Sequence, residues 1–333
     1  MRKLSTIAHF LALLAIVVLA ATPQTAFGQQ VRHIKAGYNG SLCEGPIHLA
    51  TEKGFFKEEG LEVELIKLAP GANFEAISSG QIDASFGLLA TLIQPLSNGL
   101  PIKITSGLHT GCDKLLVKKD SGIKSPADLK GKRIGVPSLT SSPIVFSRRA
   151  LAYAGVKVGD KDSEVEFVVF SQAELPLALE KGSIDAIGAN DPVASLAARE
   201  YDLTILVDSA KDAPFKDQYC CAAYVSADLV AKDPEAAASY TRALQKAAAW
   251  IQKNPEETAA IQVEKKYVAG DAAFNATVLK TYRYIPSVSG AYNAFGITAT
   301  ELKQIGILGP KVNVDTLHKN SFANLKDVPD SVQ

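Results

Sequence analysis

Two stretches of the chain, about a hundred residues apart, repeat the same structural punctuation in the same order; a period that long means paired lobes and not a solenoid of short repeats. His33–Tyr38 reads as a strand, followed by a loop over 39–45 and by Pro46 opening a helix that stops at Gly54. Arg133–Val136, the loop 137–142, Pro143 and Gly155 echo it. Proline opens a helix at little cost because the missing N–H has no intrahelical partner, and glycine past the end accepts the left-handed cap. The alternating, β-branched runs Leu61–Ile66 and Ser163–Val168 match next and read as strands. The last pair is the clearest. Ala76–Ala84, ending Gly80-Gln81-Ile82-Asp83-Ala84, returns as Ala178–Ala186, ending Gly182-Ser183-Ile184-Asp185-Ala186. Strands and helices alternating across short loops predict an α/β fold of two lobes, each a mostly parallel sheet flanked by helices.

The chain then turns helical. Asp233-Pro234-Glu235 opens an Ala-rich helix through Trp250, and Asn254-Pro255-Glu256-Glu257 opens another, with Asp or Asn as N-cap and Pro as first helical residue. Helical text also covers Asp271 to Arg283 and Thr298 to Ile307, and the tail from Val312 is loosely patterned. No low-complexity linker separates the lobes. Ordered strands near His109–Leu116 and Gln218–Val225 are therefore expected to cross between them as a hinge. The N-terminus has a different character. Arg2 and Lys3, the apolar run Phe10–Ala21 and the small residues of Ala26-Phe27-Gly28 predict a cleaved signal peptide over 1–28. Its apolar run is shorter than the ~20 residues of a membrane span, and the first cysteine, Cys43, lies too far on for lipid attachment. The expected organisation is a leader over 1–28, a first lobe from 29–112 and 219–333, a second lobe from 113–218, and an oxidising, periplasmic destination. Lys+Arg and Asp+Glu both number 35. That balance supplies no basic footprint for nucleic acid.

Ligands of open parallel sheets bind beyond the carboxyl ends of the strands, where loops lead into helices. The loops 39–45 and 87–91 of one lobe and 138–142 and 190–191 of the other should then face one cleft. They nominate Asn39, Ser41, Leu88, Ser138, Thr140, Ser141, Ser142, Asn190 and Asp191. Hydroxyls and free N–H groups over 138–142, at a helix start, favour an anionic oxygen.

Several segments also carry a family resemblance. These are Ala50–Val63 with its Glu52-Lys53-Gly54-Phe55-Phe56-Lys57 core, the Gly-x-Ile-Asp-Ala strands, Ser125–Val136 and the Asp191-Pro192 pair. Together they resemble the nitrate/sulfonate/taurine class of ABC-transporter solute-binding proteins, in a superfamily with the thiamine-pyrimidine precursor proteins. The resemblance implies the two-lobed periplasmic-binding-protein fold (type II). It also implies a monomeric receptor that closes on a small molecule and delivers it to an ABC permease with its ATPase, without a cofactor. Pyrimidine binding is the alternative ligand class. The superfamily's pyrimidine synthase carries a cysteine-rich iron motif at a stretch resembling Gln218–Val225, but only Cys220-Cys221 of it stands here. No catalytic constellation or compact metal-ligand spacing is legible, so neither catalysis nor a metal is expected.

Cys43, Cys112, Cys220 and Cys221 all fall at expected cleft or hinge positions. Three readings stay open: a disulfide such as Cys112 with Cys220 or Cys221, buried unreactive thiols, or contact with a soft metal or sulfur-bearing ligand alongside His109. Glu44 and Asp191 would call for a ligand with a donor group if they face the cleft. Tyr38, Phe86 and Tyr219 are the nearest aromatic shelves. Cys43, Glu44, His109, Tyr219 and Cys220 complete the candidate site.

Overall fold

The computed structural model describes residues 31–332; the expected signal peptide at 1–28 lies outside the described residues. Among the described residues ten strands form two five-stranded sheets. The first contains β1 (Arg32–Tyr38), β2 (Leu61–Lys67), β3 (Ala84–Leu88), β4 (Ile102–His109) and β10 (Cys221–Ser226), in the order β2-β1-β3-β10-β4. The second contains β5 (Asp113–Lys118), β6 (Arg133–Val136), β7 (Glu166–Val169), β8 (Ala186–Asn190) and β9 (Leu203–Asp208), in the order β7-β6-β8-β5-β9. Each half of the repeat therefore builds the same three-strand parallel unit, β2-β1-β3 and β7-β6-β8. The remaining pairings are antiparallel, so the sheets are mixed. The reversal has a simple origin: β5 and β10 each enter their sheet from the other one and run against its first three strands.

Both faces of both sheets are covered, which the side-chain alternation of a strand makes visible. Cys221, Ala223 and Val225 of β10 point into one core with Ile34, Ala36 and Tyr240, and Ala222 and Tyr224 point into another with Ile104 and Phe295. Likewise, Leu115 and Val117 of β5 join one core of the second sheet and Leu116 the other. Among the described residues no helix is long and apolar enough to cross a membrane.

The helix Pro234–Lys253 is capped as its sequence indicates, Asp233 accepting the Ala236 N–H at 3.0 Å. Asn254 departs from expectation: its side chain donates back to the Trp250 carbonyl at 2.8 Å and does not cap the helix Pro255–Glu264. The helix expected over 298–307 begins much earlier and spans Val288–Gln304, capped by Ser287. Gly290 and Gly296 dilute its propensity, but burial of Ala291, Ala294 and Phe295 on one face decides the outcome. The loosely patterned tail folds as a helix, Val314–Ser321, and then runs beside β4 through the Ala323 N–H to Ile104 carbonyl bond of 3.0 Å.

Candidate functional site

A cavity of about 70 Å³ lies where the carboxyl ends of the parallel strands of both sheets face each other. One water occupies ~10–15 Å³ on that scale, so the space suits a molecule of a few heavy atoms. The first sheet contributes Asn39, Ser41 and Cys43 after β1, Gly71, Asn73 and Phe74 after β2, and Leu88 and Thr91 around the end of β3. The second contributes Thr140, Ser141 and Ser142 after β6, Gln172 after β7 and Asn190 at the end of β8. Among the described residues no lysine or arginine lines it; its donors are amides, hydroxyls and the start of the helix Ser142–Tyr153.

Contacts between the two walls hold them together. The Asn190 amide donates to Ser41 Oγ at 2.9 Å, the Leu42 N–H to the Asp191 carbonyl at 2.8 Å, and Thr140 Oγ1 to the Gly71 carbonyl at 3.4 Å. Gly71 sits at φ 84°, and a Cβ there would fall 2.2 Å from Thr140 Oγ1. Further out, Arg149 pairs with Glu301 at 2.7 Å and Arg199 with Asp271 at 3.1 Å.

Asn39, Ser41, Cys43, Glu44, Leu88, Thr140, Ser141, Ser142 and Asn190 all line this cavity. Ser138 stands behind them, its hydroxyl 2.9 Å from Thr140 Oγ1. Asp191 does not line the cavity. It is fully buried, and its carboxylate accepts the Ser195 N–H and hydroxyl, the Tyr282 hydroxyl at 2.6 Å and the Lys114 ammonium. With every lone pair engaged, Asp191 is a structural anion and cannot demand a donor from a ligand. Glu44 faces its own loop: it accepts the backbone N–H groups of Asn39, Gly40 and Ser41 at 2.7–3.1 Å. Burial pushes its carboxyl up to about 8 against those bonds. The reason to expect an amine or amidine ligand therefore falls away.

Tyr219 and Cys220 line a separate small cavity with Asp113 and Arg149, and the Tyr219 hydroxyl donates to the Ile285 carbonyl. His109 is buried and packs against Tyr282 and Tyr284. Of the three aromatic candidates Phe86 alone reaches the main cavity; Tyr38 is taken up by His48 and Tyr267. All four cysteines are free and buried.

Gly71, Asn73, Phe74 and Gln172 escaped the sequence reading. Their signal was present, because the loops after β2 and β7 also leave carboxyl ends of parallel strands, where the same rule places ligands.

The family described as "NMT1/THI5 like" matches residues 44–258, well over half of the chain. A taurine-binding periplasmic protein of Escherichia coli is 28% identical over 68% of this chain and 68% of its own. A 4-amino-5-hydroxymethyl-2-methylpyrimidine phosphate synthase of Aspergillus parasiticus is 26% identical, also over 68% of each chain. Among solved structures, the periplasmic nitrate-binding protein of Synechocystis PCC 6803 shares the fold, with a TM-score of 0.74 over 88% of this chain and 86% of that one at 18% identity. The chain belongs to the NMT1/THI5-like family and has its two-lobed α/β fold.

Proposed function

We propose that the chain is an extracytoplasmic solute-binding receptor that closes on a small polar organic molecule or oxyanion of the sulfonate, taurine or nitrate kind and delivers it to an ABC permease with its ATPase. The observation that carries this reading is the cavity itself, enclosed by strand ends of both sheets and lined by neutral donors from both. Amides, hydroxyls and a helix start can spread the charge of an oxyanion over several hydrogen bonds without a formal counter-charge. A ligand bonded to both walls gains its second set of contacts only when the lobes meet, so binding shifts the hinge by that difference. The taurine-binding relative supports the ligand class, and the expected leader at 1–28 supports a periplasmic destination; we take the receptor to act as a monomer. We assign the lobes to 29–112 with 219–333 and to 113–218.

A pyrimidine ligand is the second reading, favoured by Phe74, Phe86 and Tyr224 in the wall and by the synthase relative. Calorimetric titration with taurine, short alkanesulfonates, nitrate and 4-amino-5-hydroxymethyl-2-methylpyrimidine separates the two. The receptor reading expects one equivalent of a sulfonate or nitrate to bind without chemical change. Binding of the pyrimidine alone moves the assignment to the second reading, and turnover of any of these compounds contradicts a receptor.

A further inference from the structure

The four cysteines are scattered in sequence, yet the topology gathers them. Cys43 sits in the turn after β1, Cys112 in the link from β4 to β5, and Cys220 and Cys221 at the start of β10. Cys221 pairs with His109, the last residue of β4. All five side chains are buried, on rigid strand ends or tight links. The Sγ atoms of Cys112 and Cys220 are 3.0 Å apart, and each lies 3.9 Å from that of Cys221. Unbonded sulfurs repel at the shorter distance, so this triangle is smaller than thiol packing alone favours. A point equidistant from the three lies ~2.1 Å from each, close to the ~2.3 Å of a zinc–thiolate bond. Cys221 also belongs to a second group, with Cys43 and His109, whose donor atoms all fall within 4.8 Å of one another.

His109 supplies an independent sign. Its Nδ1 lies 3.3 Å from the Thr110 carbonyl, an acceptor that the tautomer with its proton on Nδ1 satisfies. Nε2 is buried and, among the described residues, has no hydrogen-bond partner. That is the state in which a metal-ligating histidine is held, its other nitrogen oriented by a carbonyl. We propose that Cys112, Cys220 and Cys221, with Cys43 and His109 beside them, form a binding site for one soft d10 cation, Cu(I) or Zn(II). Thiolate and imidazole donors in a dry setting select such ions over magnesium or calcium, which prefer oxygen.

Binding requires each ligating thiol to lose its proton to solvent. The hydrogen bond with Cys220, aided by burial, holds Cys112 well above the ordinary thiol range, and burial with the neighbouring thiols does the same for Cys221. Cys220 lies below that range because, against burial, Cys112 and Cys221 donate to it. The nearby Lys114 ammonium offsets part of the thiolate charge. Cys43, Cys112 and Cys221 also line the main cavity, so the ion would sit in its floor. This goes beyond the proposed function and holds whichever organic ligand the cavity takes.

The test is metal titration of the full chain, purified reduced and metal-free. Zn(II), and Cu(I) under anaerobic conditions, are added against a competing chelator, and bound metal is counted by native mass spectrometry. The expected result is one ion per chain, with a sulfur shell at about 2.3 Å by X-ray absorption. Cys221→Ser should weaken binding by about a hundredfold or more and His109→Gln by about tenfold. Urea midpoints show whether each variant folds; if Cys221→Ser does not, Cys112→Ser is the substitute. A reduced chain with four titratable thiols that binds neither metal overturns the proposal. So does a Cys112–Cys220 disulfide whose reduction leaves a chain without metal affinity. Unchanged affinity in the folded cysteine variants overturns it as well.

Discussion

Replacing Asp191 with alanine is expected to destabilise the protein by about 3–5 kcal/mol, the range for breaking one half of a buried ion pair. Lys114 is 3% exposed, and its ammonium is held by Asp191 and, at 3.7 Å, by Asp208. Burial pulls that amine down, and the two carboxylates more than offset it, leaving Lys114 above its ordinary value. Without Asp191 the charge stays buried with only the more distant Asp208 for compensation. The Tyr282 hydroxyl and the Ser195 N–H and hydroxyl lose their acceptor at the same time. Domain stabilities run at about 5–15 kcal/mol, so much of the total is at stake. Urea unfolding reads this directly. Asp191→Asn keeps the shape and removes the charge, and should lose stability while ligand affinity changes less than about tenfold. A variant as stable as the parent but blind to ligand would put Asp191 back among the binding groups.

The second large effect concerns closure. Gly71 lies where the walls touch, at φ 84°, and an added Cβ would stand 2.2 Å from Thr140 Oγ1 and 2.8 Å from Ser138 Oγ. Both hydroxyls belong to the opposite wall, so the clash exists only when the lobes meet. Gly71→Val should therefore weaken ligand binding by about a hundredfold, corresponding to ~2.8 kcal/mol charged to the closed form. Gly80→Val is the matched control: Gly80 has φ 73° and nothing within 4 Å of its added Cβ. It carries the same left-handed strain of ~1–2 kcal/mol without the clash, and should lose stability but keep affinity. Equal affinity loss in both variants would mean that strain, and not closure, governs binding.

The duplicated punctuation was legible because it rests on local chemistry: Pro opening a helix, Gly closing it, and alternation along a strand. It identified the parallel core strands of both sheets and the loops carrying Ser41, Thr140 and Asn190. Direction of the crossing strands was not legible, since nothing in Cys221–Ser226 or Asp113–Lys118 records which sheet the chain is leaving. The role of Asp191 was hidden for a related reason. Its partners Lys114 and Tyr282 are distant in sequence, and a carboxylate at a strand end reads the same whether it meets a ligand or a buried ammonium. The thiol and histidine cluster has no compact spacing. Only the return of β10 beside β4 brings Cys220 and Cys221 to Cys112 and His109.

Small-angle X-ray scattering reads directly whether the clamp closes on its ligand. The chain is unfolded, dialysed and refolded to strip any retained solute, then measured alone and saturated with the compound that binds in calorimetry. A smaller radius of gyration with ligand is expected in the parent and in Gly80→Val. Gly71→Val should compact as well, but only at ligand concentrations about a hundredfold higher than the parent needs. Identical scattering of the parent with and without saturating ligand would contradict closure across this cavity.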